Sequence, residues 1–488
     1  MWPFRNRRRF PTKLGTPLCA FSKHDPFTLG DALEGALVTG ATGSGKSSGS
    51  GKMLAQSYLA AGFGGLVLTA KPDEYKLWEK YCQAAGRLKD LRRFAPTQSL
   101  RFNFLDYELN RKGLGAGLTD NIVHLFCEVM QIGERQSGQG GRDDEGYWRL
   151  ANRQLIRNAV DLLIMAKGRI SVPDLYRLVI SAPTSLEQVG SDSWQRSSLC
   201  CKCLDEADSR PKTPQQQHDF EIVTDFFCLE WPALSEKTRS VVQSTFTSMI
   251  DVIHRGVLAE LFCGQTNVTP EAIEEGAILV IDLPVKEFAE VGQFAQVLWK
   301  SAFQRSIERR NISKNARPVF LWADEAQYFI TAYDMQFQTT CRAARVATVY
   351  LTQNVSNVYA ALGGGDKGKA QADSLFANLN TKIFHANGDP VTNEYGASLI
   401  GRSRQFLTNA SSNHQPENGS NNFWGLQSAP NTSAGVSEHI DFEVQPRQFT
   451  TLRRGGRENR CQVDGIVFQG GRRFRQTGKT WLPVTFRQ

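Results

Sequence analysis

The segment GATGSGKS, at Gly40–Ser47, constrains the fold of this chain more than any other feature. It fits the pattern G-x-x-x-x-G-K-[ST] in full, and it lies between a short apolar run and a stretch of helical character. Glycines let the backbone wrap around phosphate groups with its N–H groups pointing inward, and the helix N-terminus adds partial positive charge. The sequence therefore predicts a phosphate-binding loop between a strand and a helix.

The residues of this loop have distinct expected roles. Lys46 is expected to contact the β- and γ-phosphates of ATP, and the Ser47 hydroxyl is expected to bind Mg²⁺. The predicted nucleotide-binding set comprises Gly40, Thr42, Gly43, Ser44, Gly45, Lys46, Ser47 and Ser48. ATP and Mg²⁺ are thus the expected cofactors.

A phosphate-binding loop needs an acid at the end of another strand, and two candidates follow apolar runs. Val319–Ala323 ends in Asp324 and Glu325, whereas Ile278–Ile281 ends in Asp282 alone. We favour the first, because Asp324 can hold the metal while Glu325 activates the attacking water. Asp282 lacks a second carboxylate and is interpreted as an ordinary residue at a strand end.

Polar residues near a third strand complete the predicted site. Gln353 follows Thr348–Leu351, and an amide at that position can sense hydrolysis or form part of a turn. Arg342 and Arg345 precede this strand, and either can serve a neighbouring subunit's nucleotide or be an ordinary surface arginine.

Short apolar runs alternate with helical patterns, which is typical of an α/β fold with a mainly parallel sheet. The predicted strands are Ala36–Thr39, Leu66–Thr69, Ile278–Ile281, Val319–Ala323, Thr348–Leu351 and Lys382–His385. Between Ala116 and Cys263 helical spacing prevails, which predicts a helical block inserted between strands. Loops or linkers are expected at Gly133–Gly146, Ser181–Gln217 and Thr408–Ser437.

Charge and composition indicate the kind of partner and the location of the protein. The net charge is +8, with +4 in the first ten residues and a net +7 from Arg453 onward, which favours a polyanionic partner. Phe468, Phe474, Trp481 and Phe486 lie in this basic C-terminal segment, where they could stack on single-stranded DNA or belong to closing strands. No apolar run of about 18 residues occurs, so we expect no direct membrane span and a cytoplasmic protein.

Seven segments together resemble one family in their order and spacing: TGATGSGKSS, LTAKPDEY, RRFAPTQSLRFNFLDY, YWRLANRQLIRNAVDLL, FLWADEAQYF, YLTQN and FANLNTKIFHANGDPVTNEYGASLIG. Over about Leu33 to Arg453 the chain is similar to the TraD/TraG (VirD-type) type IV secretion coupling proteins, the conjugative DNA-transfer ATPases. FtsK and HerA DNA pumps share the same RecA-like core and are more distant. The chain departs from the family's pattern in two ways. We expect no transmembrane helix at its start, where the family's membrane-anchored members have them, because no apolar run there is long enough. In addition, Thr69 replaces the aspartate of the D-P-K-G-E segment, although Lys71 remains.

The resemblance implies a RecA-like P-loop NTPase with an all-helical inserted domain, assembled as a hexameric ring that moves DNA through its centre. It implies an arginine finger at Arg342, with Arg345 as the alternative. The domains it implies are a nucleotide-binding domain at residues 33–115 and 264–452 and a helical insertion at residues 116–263. Basic segments at residues 1–32 and 453–488 flank them.

Three functions remain open at this level. The chain could be a DNA translocase of the coupling-protein type, with single- or double-stranded DNA and a relaxase or channel subunit as partners, recruited by a partner to the inner membrane. It could instead pump DNA within a mobile-element or antiphage defence complex that includes a nuclease. A nucleotide-gated scaffold with little turnover is the third function, against which Glu325 argues. Cys200, Cys201 and Cys203 are interpreted as free thiols in a loop, because no second pair of ligands has zinc-site spacing.

Overall fold

The structure, a computed structural model, describes residues 10–113, 115–126, 145–413 and 431–488. Its strands, in chain order, are β1 (Pro17–Ser22), β2 (Asp25–Thr28), β3 (Ala36–Thr39), β4 (Gly64–Leu68), β5 (Leu91–Phe94), β6 (Ile278–Ile281), β7 (Val319–Ala323), β8 (Val346–Thr352), β9 (Thr381–Phe384), β10 (Arg402–Asn413), β11 (Asn431–Phe442), β12 (Gln462–Gln469) and β13 (Trp481–Arg487).

A nine-stranded sheet forms the centre of the fold, with the strand order β13-β12-β9-β3-β8-β7-β4-β6-β5. The strands from β9 to β5 in this order are parallel, whereas β12 and β13 are antiparallel to their neighbours. The parallel strands other than β5 are buried along their whole length, because helices cover both faces. The predicted α/β fold with a mainly parallel sheet is confirmed.

Six of these strands were predicted from apolar runs. Three have the predicted bounds, namely β3, β6 and β7, and the other three differ by at most two residues at either end. Continuous apolar runs predict such strands well, since a strand buried on both faces needs an apolar side chain at nearly every position.

Helices connect and cover these strands. In chain order they are α1 (Leu29–Leu33), α2 (Lys52–Ala60), α3 (Glu74–Ala84), α4 (Phe104–Asn110), α5 (Glu145–Lys167), α6 (Val172–Ile180), α7 (Leu186–Val189), α8 (Asp192–Ser197), α9 (Leu199–Asp208), α10 (Pro214–Asp225), α11 (Trp231–Ala233), α12 (Glu236–His254), α13 (Gly256–Phe262), α14 (Glu271–Glu274), α15 (Val285–Arg309), α16 (Tyr333–Thr340), α17 (Val355–Ala361), α18 (Gly365–Asn378), α19 (Pro390–Ile400) and α20 (Pro446–Thr450). Residues 119–126 are also helical.

The described residues between β5 and β6 form helices and no strand, as predicted for the inserted block. On α5, the buried residues Leu155, Ile156, Ala159, Leu162 and Leu163 recur at helical spacing and join the core that the block shares with one face of the sheet. Helices α6, α9, α10 and α12 pack against α5. The predicted helical character of the insertion is confirmed for the residues that the structure describes.

The prediction that Ser181–Gln217 is a loop or linker was wrong, because α7, α8, α9 and the start of α10 lie there. The polar residues that indicated a loop cap these helices instead. Ser185, Ser191, Ser198 and Thr213 each accept a hydrogen bond from the backbone N–H three residues later. Such hydroxyls satisfy the free N–H groups of a first helical turn, so the residues typical of loops are also typical of closely spaced helix starts.

The prediction that Thr408–Ser437 is a loop or linker was wrong for its two ends. Strands β10 and β11 pair antiparallel in register from Arg402 opposite Phe442 to Asn413 opposite Asn431, and residues 414–430 lie outside the described residues. The cross-strand ladder satisfies the backbone even where few apolar side chains are available for burial. Most of Gly133–Gly146, the other predicted loop, also lies outside the described residues, and α5 begins at Glu145.

Most of the C-terminal aromatic residues lie on strands that extend the sheet beyond β9. Phe468 lies on β12, Trp481 and Phe486 lie on β13, and Phe474 lies in the connection between these strands. The alternative of closing strands is confirmed, and the rings of Phe468, Phe474 and Phe486 are buried and so not available to stack on a nucleic acid in this fold.

The cysteine cluster lies on α9 rather than in a loop. Cys200, Cys201 and Cys203 are all buried. In the part of the chain that the structure describes, no group of three His, Cys, Asp or Glu side chains is placed to hold a metal ion. No described helix is both long and apolar enough to cross a membrane.

Candidate nucleotide-binding site

The loop at Gly40–Ser47 leaves β3 at the carboxyl edge of the sheet and leads into a helix. That helix begins as a π-helical turn at Ser47–Gly51 and continues as α2. Gly43 and Gly45 adopt φ angles of 76° and 86°, which side chains other than glycine rarely tolerate. A Cβ on Gly45 would also lie 2.5 Å from a Val463 methyl group. The backbone therefore forms the tight turn that a phosphate-binding loop requires.

The other predicted loop residues lie around this turn. The Gly40 N–H donates to the carbonyl of Thr352, Thr42 is exposed, and Ser48 accepts a hydrogen bond from Gln488 at 2.7 Å. Ser44 Oγ is one of the buried side-chain oxygens in the described part of the chain that have no hydrogen-bond partner. A buried hydroxyl of this kind is suited to a ligand atom.

Ser47 and Asp324 are in direct contact, although 277 positions separate them in the sequence. The Ser47 hydroxyl donates a hydrogen bond of 2.7 Å to Asp324 Oδ2. They meet because β3 and β7 both flank β8, and parallel strands present their carboxyl ends at one edge. A hydroxyl and a carboxylate are oxygen ligands of the type that Mg²⁺ prefers, so this pair fits the predicted metal site.

Glu325 is buried at the centre of the site, and its backbone is in the left-handed region with φ of 53°. Its Oε1 lies 2.8 Å from Lys71 Nζ and 3.7 Å from Lys46 Nζ. Burial by itself would raise the pKa of Glu325. The Lys71 hydrogen bond, the Lys46 charge and a hydrogen bond from Gln327 outweigh burial and lower the pKa to about 2. Glu325 is therefore ionised at neutral pH.

Two amide side chains orient this carboxylate. Gln353 Nε2 lies 3.4 Å from each of the two Glu325 carboxylate oxygens, and Gln327 Nε2 donates to Oε2 at 3.0 Å. The Thr352 hydroxyl in turn donates to Gln327 Oε1 at 3.0 Å. Gln353 thus lies at the tip of β8 beside the carboxylate, where the sequence predicted a sensor of hydrolysis.

Arg342 and Arg345 lie at the opposite edge of the sheet, where β8 begins, and not beside the P-loop of their own chain. Arg342 Nη1 is 3.0 Å from Glu34 Oε1, and 58% of its side chain is exposed. Arg345 donates to the backbone carbonyls of Ala316, at 3.2 Å, and Thr12. Arg342 is thus the more exposed of the two.

Sequence reasoning assigned no role to two residues that the structure brings to the site. Lys71 follows β4 and contacts both Glu325 and Asp324, the latter at 3.9 Å. His385 follows β9 and lies fully buried beneath the P-loop helix, where the Ser50 hydroxyl is 2.7 Å from Nε2. Their positions just after predicted strands were the one feature of the sequence that could have indicated them.

Asp282, the acid that the sequence analysis did not favour, forms an ion pair with Arg93. Its carboxylate lies 2.7 Å from Arg93 Nε and 2.6 Å from Nη2.

A partly exposed carboxylate lies near the predicted metal site. Glu74 Oε2 accepts a hydrogen bond from the Ala70 N–H at 2.8 Å. Burial, followed by the negative charge of Asp324, raises the pKa of Glu74. The hydrogen bond to Ala70 holds the chain that follows β4 near Asp324.

Comparison with protein families gives one match over part of the chain. Residues 318–434 match the family model described as the TraM recognition site of TraD and TraG. This stretch contains Asp324, Glu325 and Gln353 as well as both arginines. None of the curated proteins compared with the chain is significantly similar in sequence.

Comparison with solved structures covers nearly the whole chain. The unbound bacterial conjugative coupling protein TrwBdeltaN70 superposes with a TM-score of 0.61 at 13% sequence identity, over 97% of this chain and 88% of that one. The chain has the fold of a conjugative coupling protein. TrwB in complex with ADP and Mg²⁺ gives a TM-score of 0.59 at 14% identity, over 98% of this chain and 89% of that one. TrwB in complex with a non-hydrolysable ATP analogue gives a TM-score of 0.59 at 15% identity, over 99% of this chain and 91% of that one.

These matches confirm the predicted resemblance to TraD/TraG-type coupling proteins and the RecA-like P-loop fold. At such low sequence identity TrwB supports the arrangement of strands and helices, whereas the roles of individual residues rest on the contacts described above.

Proposed function

We propose that the chain is an Mg²⁺-dependent ATP hydrolase that works as a ring-forming DNA translocase of the coupling-protein type. The observation that carries this proposal is the cluster of Ser47, Asp324, Glu325 and Gln353 around a complete phosphate-binding loop. The TrwB structures with an ATP analogue and with ADP and Mg²⁺ support the choice of nucleotide and metal.

Each residue has a task in hydrolysis. Lys46 and backbone N–H groups of the P-loop would bind the phosphates, and Ser47 and Asp324 would hold the metal. When bound, Mg²⁺ neutralises negative charge on the phosphate oxygens. Glu325 orients a water molecule and accepts its proton, while Gln353 and Gln327 keep the carboxylate in position.

We assign the trans-acting arginine to Arg342. Its side chain is more than half exposed and its partner Glu34 is part-exposed, so it can move to a neighbouring subunit's nucleotide. Arg345 is engaged by two backbone carbonyls of its own chain, which ties it to this edge of the sheet. A homo-oligomeric ring, a hexamer in this proposal, would couple hydrolysis to the movement of DNA through its centre.

The family match supports a protein partner in addition to DNA. The matched stretch is described as a TraM recognition site, so we propose that residues 318–434 include contacts with an accessory protein of the DNA-transfer apparatus. A relaxase or a channel subunit would place the ring at the inner membrane, and a nuclease would place it in a defence complex. The nucleotide-binding domain at residues 33–115 and 264–452, the insertion at 116–263 and the two flanking segments remain our proposed domain division.

The test is ATP hydrolysis with and without single- and double-stranded DNA, together with the mass in solution. We expect DNA to stimulate hydrolysis and the mass to approach six times 54.4 kDa. Glu325→Gln should lower the rate by about 100-fold or more, because general-base catalysis contributes this much. The exposed Glu79→Gln on α3 is the matched control and should hydrolyse at the wild-type rate.

Two results would contradict the proposal. Wild-type activity in Glu325→Gln would remove Glu325 as the base. A wild-type protein that binds ATP yet hydrolyses none with either form of DNA would favour the nucleotide-gated scaffold instead.

A further inference from the structure

Lys71 lies on a segment that runs beside the catalytic carboxylates. Strands β4 and β7 are parallel neighbours, with Leu68 opposite Ala323. The chain that leaves β4 therefore emerges next to Asp324 and Glu325, which follow Ala323 directly. Lys71 is the third residue after Leu68, and its ammonium group contacts both carboxylates.

The backbone on either side of Lys71 is held in place. The buried Gln296 amide accepts a hydrogen bond from the Thr69 N–H at 2.5 Å and donates to the Thr69 carbonyl at 2.7 Å. Glu74 accepts from the Ala70 N–H. Pro72 follows Lys71 and disfavours helical backbone there. The root of the Lys71 side chain is thus fixed, while 45% of the side chain is exposed and able to move.

Two ammonium groups share one carboxylate oxygen. Lys71 Nζ and Lys46 Nζ lie 2.8 Å and 3.7 Å from Glu325 Oε1. Lys46 belongs to the P-loop, and its task in the proposed function is to contact phosphate. A second ammonium group at the same oxygen is within reach of the place where the terminal phosphate would meet Lys46. A terminal phosphate carries more negative charge than a carboxylate and competes for both groups.

We propose that Lys71 is a second phosphate-binding lysine, which contacts the γ-phosphate of a bound nucleoside triphosphate and holds Glu325 by an ion pair until then. The inference rests on the proposed function, because it assumes that the P-loop takes a nucleotide. A nucleoside diphosphate lacks the group that Lys71 would contact. The Lys71 segment would therefore discriminate the triphosphate from the diphosphate, and its release from Glu325 would free the carboxylate for water.

The test is equilibrium binding of a fluorescent non-hydrolysable ATP analogue and of fluorescent ADP, each with Mg²⁺. Lys71→Met should weaken binding of the triphosphate analogue by about tenfold or more, because one charge-assisted hydrogen bond is lost. Its affinity for ADP should stay within about twofold of wild type. Lys71→Arg keeps the charge and should retain the preference for the triphosphate.

Lys76→Met is the matched control, since Lys76 is an exposed lysine of the neighbouring α3 that pairs with Asp73. It should bind both nucleotides as wild type does. Equal affinities of Lys71→Met and wild type for the triphosphate analogue would overturn the inference, as would an equal loss for both nucleotides. A wild-type protein that binds neither nucleotide would instead overturn the proposed function. Circular dichroism checks that each variant is folded.

Discussion

His385 should make this fold sensitive to acid. Its Nδ1–H donates to the carbonyl of Asp464 at 2.8 Å, and its Nε2 accepts from the Ser50 hydroxyl at 2.7 Å, so both ring nitrogens are satisfied in the neutral form. Burial disfavours the imidazolium, the carbonyl of Asp464 opposes this effect, and the charge of Lys46 adds to it. The pKa of His385 falls to about 4 as a result.

The sign and size of the effect follow from linkage. The unfolded chain takes up a proton at His385 as the pH falls through 6.5, whereas the folded chain does so only near pH 4. The stability that neutral His385 contributes is therefore complete above pH 6.5, declines below it, and is lost once the pH has fallen through 4. Each pH unit in this window costs about 1.4 kcal/mol, which gives a loss of about 2 kcal/mol at pH 5.

Urea unfolding at pH 8 and pH 5, followed by circular dichroism, measures this loss. The free energy of unfolding should fall by about 2 kcal/mol more in the wild type than in His385→Gln, which cannot titrate there. The exposed His218→Gln is the control and should follow the wild type. Equal pH dependence of wild type and His385→Gln would refute the account of a neutral histidine buried beneath the P-loop.

Three further variants test the site and its support. Asp282→Asn should leave ATP hydrolysis within about twofold of wild type, because that carboxylate is bound to Arg93 and follows β6, which β4 separates from β7. A loss as large as that of Asp324→Asn would contradict our choice of acid. Gly45→Ala should lower the free energy of unfolding by at least about 1–2 kcal/mol, since φ is 86° there, and an unchanged melting temperature would be inconsistent with the loop geometry. Lys300 and Asp334 form a buried ion pair. Lys300→Met should lower the free energy of unfolding by about 3–5 kcal/mol, because it leaves the Asp334 carboxylate without its cation. Urea unfolding measures this loss, and the double variant Lys300→Met/Asp334→Asn should recover part of it.

Local sequence was sufficient where the chemistry is local. The strand, the glycine turn and the start of the helix around Gly40–Ser47 occupy one continuous segment, and the glycines needed at positive φ are visible in it. The contact of Ser47 with Asp324 was also predictable, although 277 positions separate the two residues in the sequence. Any two parallel strands present their carboxyl ends at one edge, so a phosphate loop and an acid that both follow apolar runs are expected to lie near each other.

The polar segments were harder to predict, because the same residues satisfy backbone groups in several structures. Ser185, Ser191 and Ser198 are as compatible with turns as with helix caps, and only the packing of the helices that follow them, α7, α8 and α9, decides between the two. The β10–β11 hairpin was missed for a similar reason, because its backbone pairing requires no apolar pattern in the sequence.

The sequence by itself determined the class of fold, the phosphate loop and the position of Asp324 and Glu325 after an apolar strand, because apolar runs and glycine positions act within a few residues. Only the tertiary structure decided which side chains surround Glu325. The order of strands in the sheet places β4 beside β7 and so brings Lys71 to that carboxylate. It also places β9 beside β3, which puts His385 beneath the P-loop helix. Strand order arises from packing over the whole sheet, and no short segment of the chain encodes it.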